Sequence, residues 1–280
     1  MHFLMMVIGL SLAGWMRYQC AAPTGTWTER WQRSLQLFLF PPLLLLMTAI
    51  AVLCMGPYGQ MVWRWEGWLS YRLAIGFLSM AIGAGLKLAW EGRQTLQHIR
   101  RNPIIDLNGN PARLLNIPEL YSARIGFWQP ELVVSQGLLD NLDEPHLQAV
   151  LIHEQAHANH HDTFWFFWLG WIRRVTFWLP QTEALWQELL MLRELRADRL
   201  AAQQVDSLVL AESLLMVVSA PLMQPEICAA FSWAASHNRL MERVDSLLAN
   251  TDESLQLNVW SMSWLLWVCL PLVAIPFHGG

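Results

Sequence analysis

The sequence predicts a mainly α integral membrane protein with a small β element, and three observations carry that expectation. Apolar residues make up 54% of the chain and charged residues only 14%, where soluble domains carry about 25% charged residues. Mean hydropathy is +0.28, with the apolar residues gathered into long runs. The chain also holds 17 tryptophans, a residue that concentrates at both faces of a bilayer. This profile excludes a disordered chain and a coiled coil. A net charge of −4 provides no basic field for phosphate, so no nucleic-acid partner is expected. The 280 residues allow one or two domains.

Four apolar runs are candidate crossings. Residues 1–16 have no Lys or Arg before Arg17, so they read as an uncleaved first span rather than a signal peptide. Residues 35–56 are long enough to cross, and Pro41–Pro42 would kink that helix or begin a fresh one. Leu73 to Trp90 carries only Lys87, near one end, where it can snorkel. The last run is Val259 to Phe277. Three N-terminal transmembrane helices thus occupy 1–90, a catalytic domain 91–257, and a C-terminal transmembrane helix 258–280.

The stretch 17–34 holds three arginines, at 17, 30 and 33, and five more fall between 91 and 130, whereas 57–69 holds only Arg64. The positive-inside rule then places the catalytic domain on the cytoplasmic side of a plasma (inner) membrane, in a multi-pass chain. The lipid bilayer is one expected partner. Cys20, Cys54, Cys228 and Cys269 show no metal-ligand spacing and read as small buried hydrophobes.

Between the spans, ELYSARIGFWQPELVVS (119–135) reads as two short strands around a turn at Gln129–Pro130. Asp143 suits the start of the next helix. The stretch 163–180 is apolar and aromatic but has Arg173 and Arg174 in its middle. Two arginines at a bilayer centre cost at least about 2.5 kcal/mol each, so this stretch reads as an interfacial or re-entrant helix.

The segment AVLIHEQAHANHHD (149–162) contains His153, Glu154 and His157 as HExxH. Residues i and i+4 share a helix face, so both imidazoles can hold one Zn²⁺, and Glu154 is placed as general base toward a water activated by the metal. Catalytic zinc needs a third protein ligand. Thr163 stands where a metzincin would have a third histidine, whereas RELRAD (193–198) supplies Glu194 as the ligand. Asp198, one turn on, can accept the free N–H of a ligating imidazole. One Zn²⁺ per chain is expected.

HEQAH followed by RELRAD resembles the gluzincin membrane metallopeptidases, most closely the BlaR/MecR-type antirepressor peptidases and next the HtpX and CAAX prenyl endopeptidases. The resemblance covers 121–248. It implies transmembrane helices around a gluzincin (HExxH plus Glu) domain. SHNRLMERVDSLL (236–248) resembles a downstream segment of the HtpX-like members, which implies that His237 and Arg243 lie near the active site, where either can stabilise the oxyanion. Asn238–Arg239 replace the two-proline step that follows that histidine in the group, and Ala197 stands where the BlaR type often has Cys.

The expected activity is hydrolysis of peptide bonds in protein or peptide substrates by a zinc metalloendopeptidase, in regulated proteolysis or membrane-protein quality control. An extended substrate would add to the strand near Gly126, Phe127 and Trp128, which is also where the resemblance implies the substrate edge. The alternative is a non-catalytic membrane signalling or partner-binding protein on the same fold. Structural zinc sites are normally closed by four protein ligands and favour Cys, and such a site has no use for Glu154.

Overall fold

The computed structural model describes residues 2–19, 24–57, 64–107, 109–219, 239–249 and 263–277. It is mostly helical, with one small sheet, and divides into two compact units. The first comprises residues 1–87, 170–189 and 254–280; the second comprises 88–169 and 190–253.

In the first unit, α1 (His2–Tyr18) packs along α2 (Trp27–Met55), with the leading part of α3 (Arg64–Ile99) and two short helices, α10 (Trp264–Val268) and α11 (Leu270–Val273). A capping box starts α2: the Thr26 hydroxyl accepts from Glu29 N while the Glu29 carboxylate accepts from Thr26 N. Ala13, Leu45 and Leu179 form one core cluster, and Ala49, Val52 and Ala74 another.

No fresh helix begins at Pro41–Pro42: α2 continues through both prolines. Pro42 has no N–H for the carbonyl four residues back, which is that of Phe38. Arg17 Nη2 donates to that oxygen at 3.1 Å, and its guanidinium lies 5.5 Å from the centre of the Phe38 ring. Arg17 is therefore fully buried rather than an open loop charge. Arg30 is likewise engaged, at 2.7 Å from Glu188.

Two helices among the described residues are long and apolar enough to cross a membrane, Trp27–Met55 and Gly67–Ile99. They correspond to the second and third expected runs. The first run forms the 17-residue α1. The described part of the fourth, 263–277, forms short helical pieces.

The second unit is built on a four-stranded sheet of order β1-β2-β4-β3. Its strands are β1 (Ile104–Leu107), β2 (Asn110–Leu115), β3 (Ser122–Ile125) and β4 (Glu131–Ser135). β1 and β2 form an antiparallel hairpin, β2 runs parallel to β4, and β3 pairs antiparallel with β4. β3 is thus an edge. The β3–β4 pair and its turn follow the sequence expectation. The β1–β2 hairpin was not anticipated, although Gly109, with φ +83°, follows Asn108 in the strongest short hairpin signal.

Side chains alternate across the sheet. Ala123, Ile125 and Val133 pack with Leu115 and Ile99 on one face. Ala112, Leu132 and Val134 pack with Leu138 and Val150 on the other, the side of α4 (Gln136–Asn141) and α5 (Glu144–Asn159). α8 (Ser207–Ser219) and α9 (Leu240–Leu248) complete the unit, through a cluster of Ala149, Leu210, Leu214, Leu240 and Leu247.

One expectation shifts in register. The edge strand ends at Ile125, and Gly126, Phe127 and Trp128 belong to the turn that follows it. Gly126 has φ +142°, and a Cβ there would sit 2.8 Å from Gln129 O, so the chain must bend at this point. Phe127 turns its ring against Phe164 and Phe167, with centroids 5.0 and 4.8 Å away. Among the described residues, the strand that leaves one side of its backbone unpaired at this edge is therefore Ser122–Ile125.

Candidate metal centre

The site is assembled within the second unit from α5, the start of α6 (Asp162–Val175), the later part of α7 (Thr182–Ala202) and α9. The Asp143 side chain caps α5 by accepting from His146 N at 3.2 Å, with Pro145 in the first turn, where a missing N–H costs nothing. The inward face of α5 carries Ala149, His153 and Ala156, and His157, one turn after His153, shares that face.

α7 supplies the opposing wall. Residues 189–198 are buried without interruption, so the charges on that stretch require partners. Glu194 and Asp198 are four apart and share the face toward α5.

His153, His157 and Glu194 each offer a donor atom, all within 4.8 Å of one another. The two Nε2 atoms are 3.2 Å apart. Glu194 Oε2 is 3.4 Å from His153 Nε2, and Glu194 Oε1 is 3.7 Å from His157 Nε2. Two imidazole nitrogens and a carboxylate converging from two helices fit a metal ion, a donor set that catalytic zinc sites use. The cluster includes all three residues expected as ligands.

Each imidazole meets an aspartate at its other nitrogen. His153 Nδ1 lies 2.9 Å from Asp198 Oδ1, within ion-pair distance but without hydrogen-bond alignment, so the carboxylate stands where the sequence placed it but the expected hydrogen bond is not formed. His157 Nδ1 lies 2.7 Å from Asp162 Oδ2, a relation the sequence reading missed. Asp162 follows a turn in which His161 adopts φ +53°, and this sharp exit from α5 brings the first residue of α6 back to His157. The available signal was an Asp closing HANHHD, just beyond the second histidine of HExxH.

Both aspartates are themselves tied down. Arg196 forms an ion pair with Asp162. Arg243 grips Asp198 with Nε and Nη2 at 2.7 and 2.8 Å, and its Nη1 lies 3.5 Å from Glu194 Oε2. Arg243 was expected near the active site, and there it holds Asp198. Arg193 donates from Nε and Nη2 to Glu194 Oε1, at 2.9 and 2.6 Å. The other residue expected from that segment, His237, lies outside the described residues.

The electrostatics follow from this crowding. Burial pulls the His153 imidazole down, but Asp198 and Glu194 outweigh it and raise it to about 9. Burial also opposes protonation of His157, yet Glu194 and Asp162 raise it. For Glu194, burial pushes the carboxyl up, while Arg193 and His157 hold it well below the usual carboxylate range. Asp198 is lowered in the same manner by Arg243 and His153 against its burial. The carboxylates are thus ready as anionic ligands and acceptors.

Asp162 and Asp198 give a direct test. Asp→Asn at either position should weaken metal affinity by about 10–100-fold without abolishing it. Titration against a competing chelator, with a thermal melt to verify folding, measures this. An affinity unchanged in Asp162→Asn would remove that residue from ligand orientation.

Residues 123–190 match the model of peptidase family M48, a family of metal-dependent peptide hydrolases. The match spans β3, β4 and the HExxH helix, and it stops short of Glu194, which the geometry alone brings to the histidines. No curated protein and no solved structure shows significant similarity to the chain.

Proposed function

We propose that this protein is a membrane-embedded, zinc-dependent endopeptidase that cleaves protein substrates at or near the bilayer. The observation that carries the proposal is the convergence of His153, His157 and Glu194, with Glu154 next in sequence to the first ligand on a segment that matches a metallopeptidase family. When bound, the zinc would acidify a water molecule and polarise the scissile carbonyl. Glu154 accepts the proton from the attacking water and returns it to the departing amine. Asp162 and Asp198 hold the imidazoles in the tautomer that leaves Nε2 free for the metal. Arg193 engages one oxygen of Glu194 and restrains its rotation. The free edge of β3 receives the substrate backbone. Arg243 Nη1, 3.5 Å from Glu194 Oε2, and His237 are the groups proposed to stabilise the developing oxyanion.

Membrane embedding is supported by the two long apolar helices. Along α3, Ile82 and Leu86 are 63% and 67% exposed, an arrangement suited to lipid. The arginine distribution favours a cytoplasmic catalytic unit. In a background lacking the native cysteines, a cysteine replacing the exposed Arg101 should resist an impermeant thiol reagent in intact cells and react once the cells are opened. Labelling in intact cells would turn the site outward.

The resemblance of HEQAH and RELRAD to gluzincin membrane peptidases extends the proposal to regulated proteolysis or membrane-protein quality control. The test is a comparison of membrane proteomes from cells expressing wild-type or Glu154→Gln protein. Substrates should accumulate uncut in the variant. Identical peptide termini in both would argue for the non-catalytic reading.

A further inference from the structure

Arg124 is unlike the other arginines around the site. It lies on β3, opposite Leu132 of β4, and so on the sheet face that packs toward α5. Its Nη2 donates to Gln155 Oε1 at 2.5 Å, and Gln155 is bonded in turn to Asn159. Both are neutral. Its Nε is shut off from solvent without an acceptor, as is the hydroxyl of Ser122 two residues back on the same face. Glu154 lies within electrostatic reach, but among the described residues no carboxylate comes within ion-pair distance of Arg124. By contrast Arg113, Arg193, Arg196 and Arg243 of the same unit all hold a carboxylate.

A guanidinium stays charged in any protein setting, and half-burying it among neutral partners is unfavourable. A planar anion with two acceptor oxygens relieves that cost and matches its fork. The position says where such an anion would come from. A peptide added to the free edge of β3 alternates its side chains between the two faces of the sheet. Those on the α5 face stand beside Arg124 at cross-strand spacing, next to the residue that acts on the scissile bond.

We infer that Arg124 receives a substrate carboxylate, so that the site selects peptides with an acidic group flanking the cleaved bond. The inference rests on the peptidase reading above. The carboxylate has two sources, an internal Asp or Glu side chain or the C-terminus of the substrate, and the test separates them.

The probes are fluorescent peptides that differ only at the positions flanking the scissile bond, carrying Glu, Gln or Lys with an amidated C-terminus. A second set is neutral with a free C-terminal carboxylate. Binding is read by anisotropy on zinc-loaded, full-length Glu154→Gln protein in detergent, and cleavage by mass spectrometry on the wild-type enzyme. Glu peptides should be preferred over Gln peptides by about tenfold or more, the scale of a charge-assisted hydrogen bond. Arg124→Gln should erase the preference, Arg124→Lys should keep part of it, and Arg124→Glu should turn it toward Lys peptides. Zinc content equal to wild type shows that each variant has folded. Discrimination confined to the free-carboxylate set assigns the C-terminus as the source. Equal handling of Glu and Gln peptides and of free and amidated termini, or a preference that survives both Arg124→Gln and Arg124→Glu, overturns the inference. Cleavage without charge selection keeps the peptidase reading and removes the role of Arg124. Arg124-dependent binding with no cleavage by the zinc-loaded wild type does the reverse.

Discussion

Replacing Glu154 by Gln is expected to leave zinc bound while peptide hydrolysis falls by about 10²–10⁴-fold, the usual contribution of a positioned general base. Glu154 is outside the donor cluster of His153, His157 and Glu194, so its charge is not needed to hold the ion. The amide of Gln has the same size but cannot take a proton from water. The two halves of the expectation are measured separately, by metal analysis of the purified protein and by cleavage of a peptide library. Retained zinc together with retained cleavage would show that another group acts as base. Loss of zinc in this variant would place Glu154 among the ligands instead.

The second large effect is loss of the metal itself. His153→Ala, His157→Ala and Glu194→Ala each remove one of three donors and should each release most of the bound zinc. Glu194 carries a further consequence. Arg193 and Arg243 both face its carboxylate, and removing one partner of a buried ion pair costs about 3–5 kcal/mol. Glu194→Ala should therefore also lower the melting temperature, whereas Glu194→Gln keeps the volume and some hydrogen bonding and should do so less.

Proton linkage gives the same site an independent readout. A metal ligand must be a neutral imidazole, yet without metal His153 is raised to about 9. Near pH 7 that histidine holds a proton, and zinc must displace it. Metal affinity should therefore rise with pH up to about 9 and level off above. The opposite sign applies to the metal-free fold. A histidine whose value is raised on folding contributes stability that is full below about 6.5, its ordinary value, and is lost as pH climbs through 9. Calorimetry in buffers of different ionisation heat should show at least one proton released per zinc at pH 7. No dependence on the buffer would mean that His153 is already neutral.

HExxH was legible because it is a local pattern: helix geometry alone puts i and i+4 on one face, so His153 and His157 follow from the spacing. Glu194 and Asp198 were legible for a related reason, since they also share one helix face and catalytic zinc needs a third protein ligand, which a glutamate can supply. The apolar runs of α2 and α3 and the β3–β4 turn were equally local, set by composition and by Gln129–Pro130. The tertiary structure decided which charges meet across elements. Asp162 reaches His157 only because the chain reverses at His161, and Arg196 and Arg243 find Asp162 and Asp198 only when α6, α7 and α9 pack together. The same holds for Arg17, which donates to the Phe38 carbonyl that Pro42 leaves unpaired, and for Arg124, which among the described residues has no carboxylate partner beside the edge strand. Spacing along a helix is encoded within a few residues. Pairing between buried charges depends on packing between segments far apart in the chain, because only there does desolvation force each charge to find a partner.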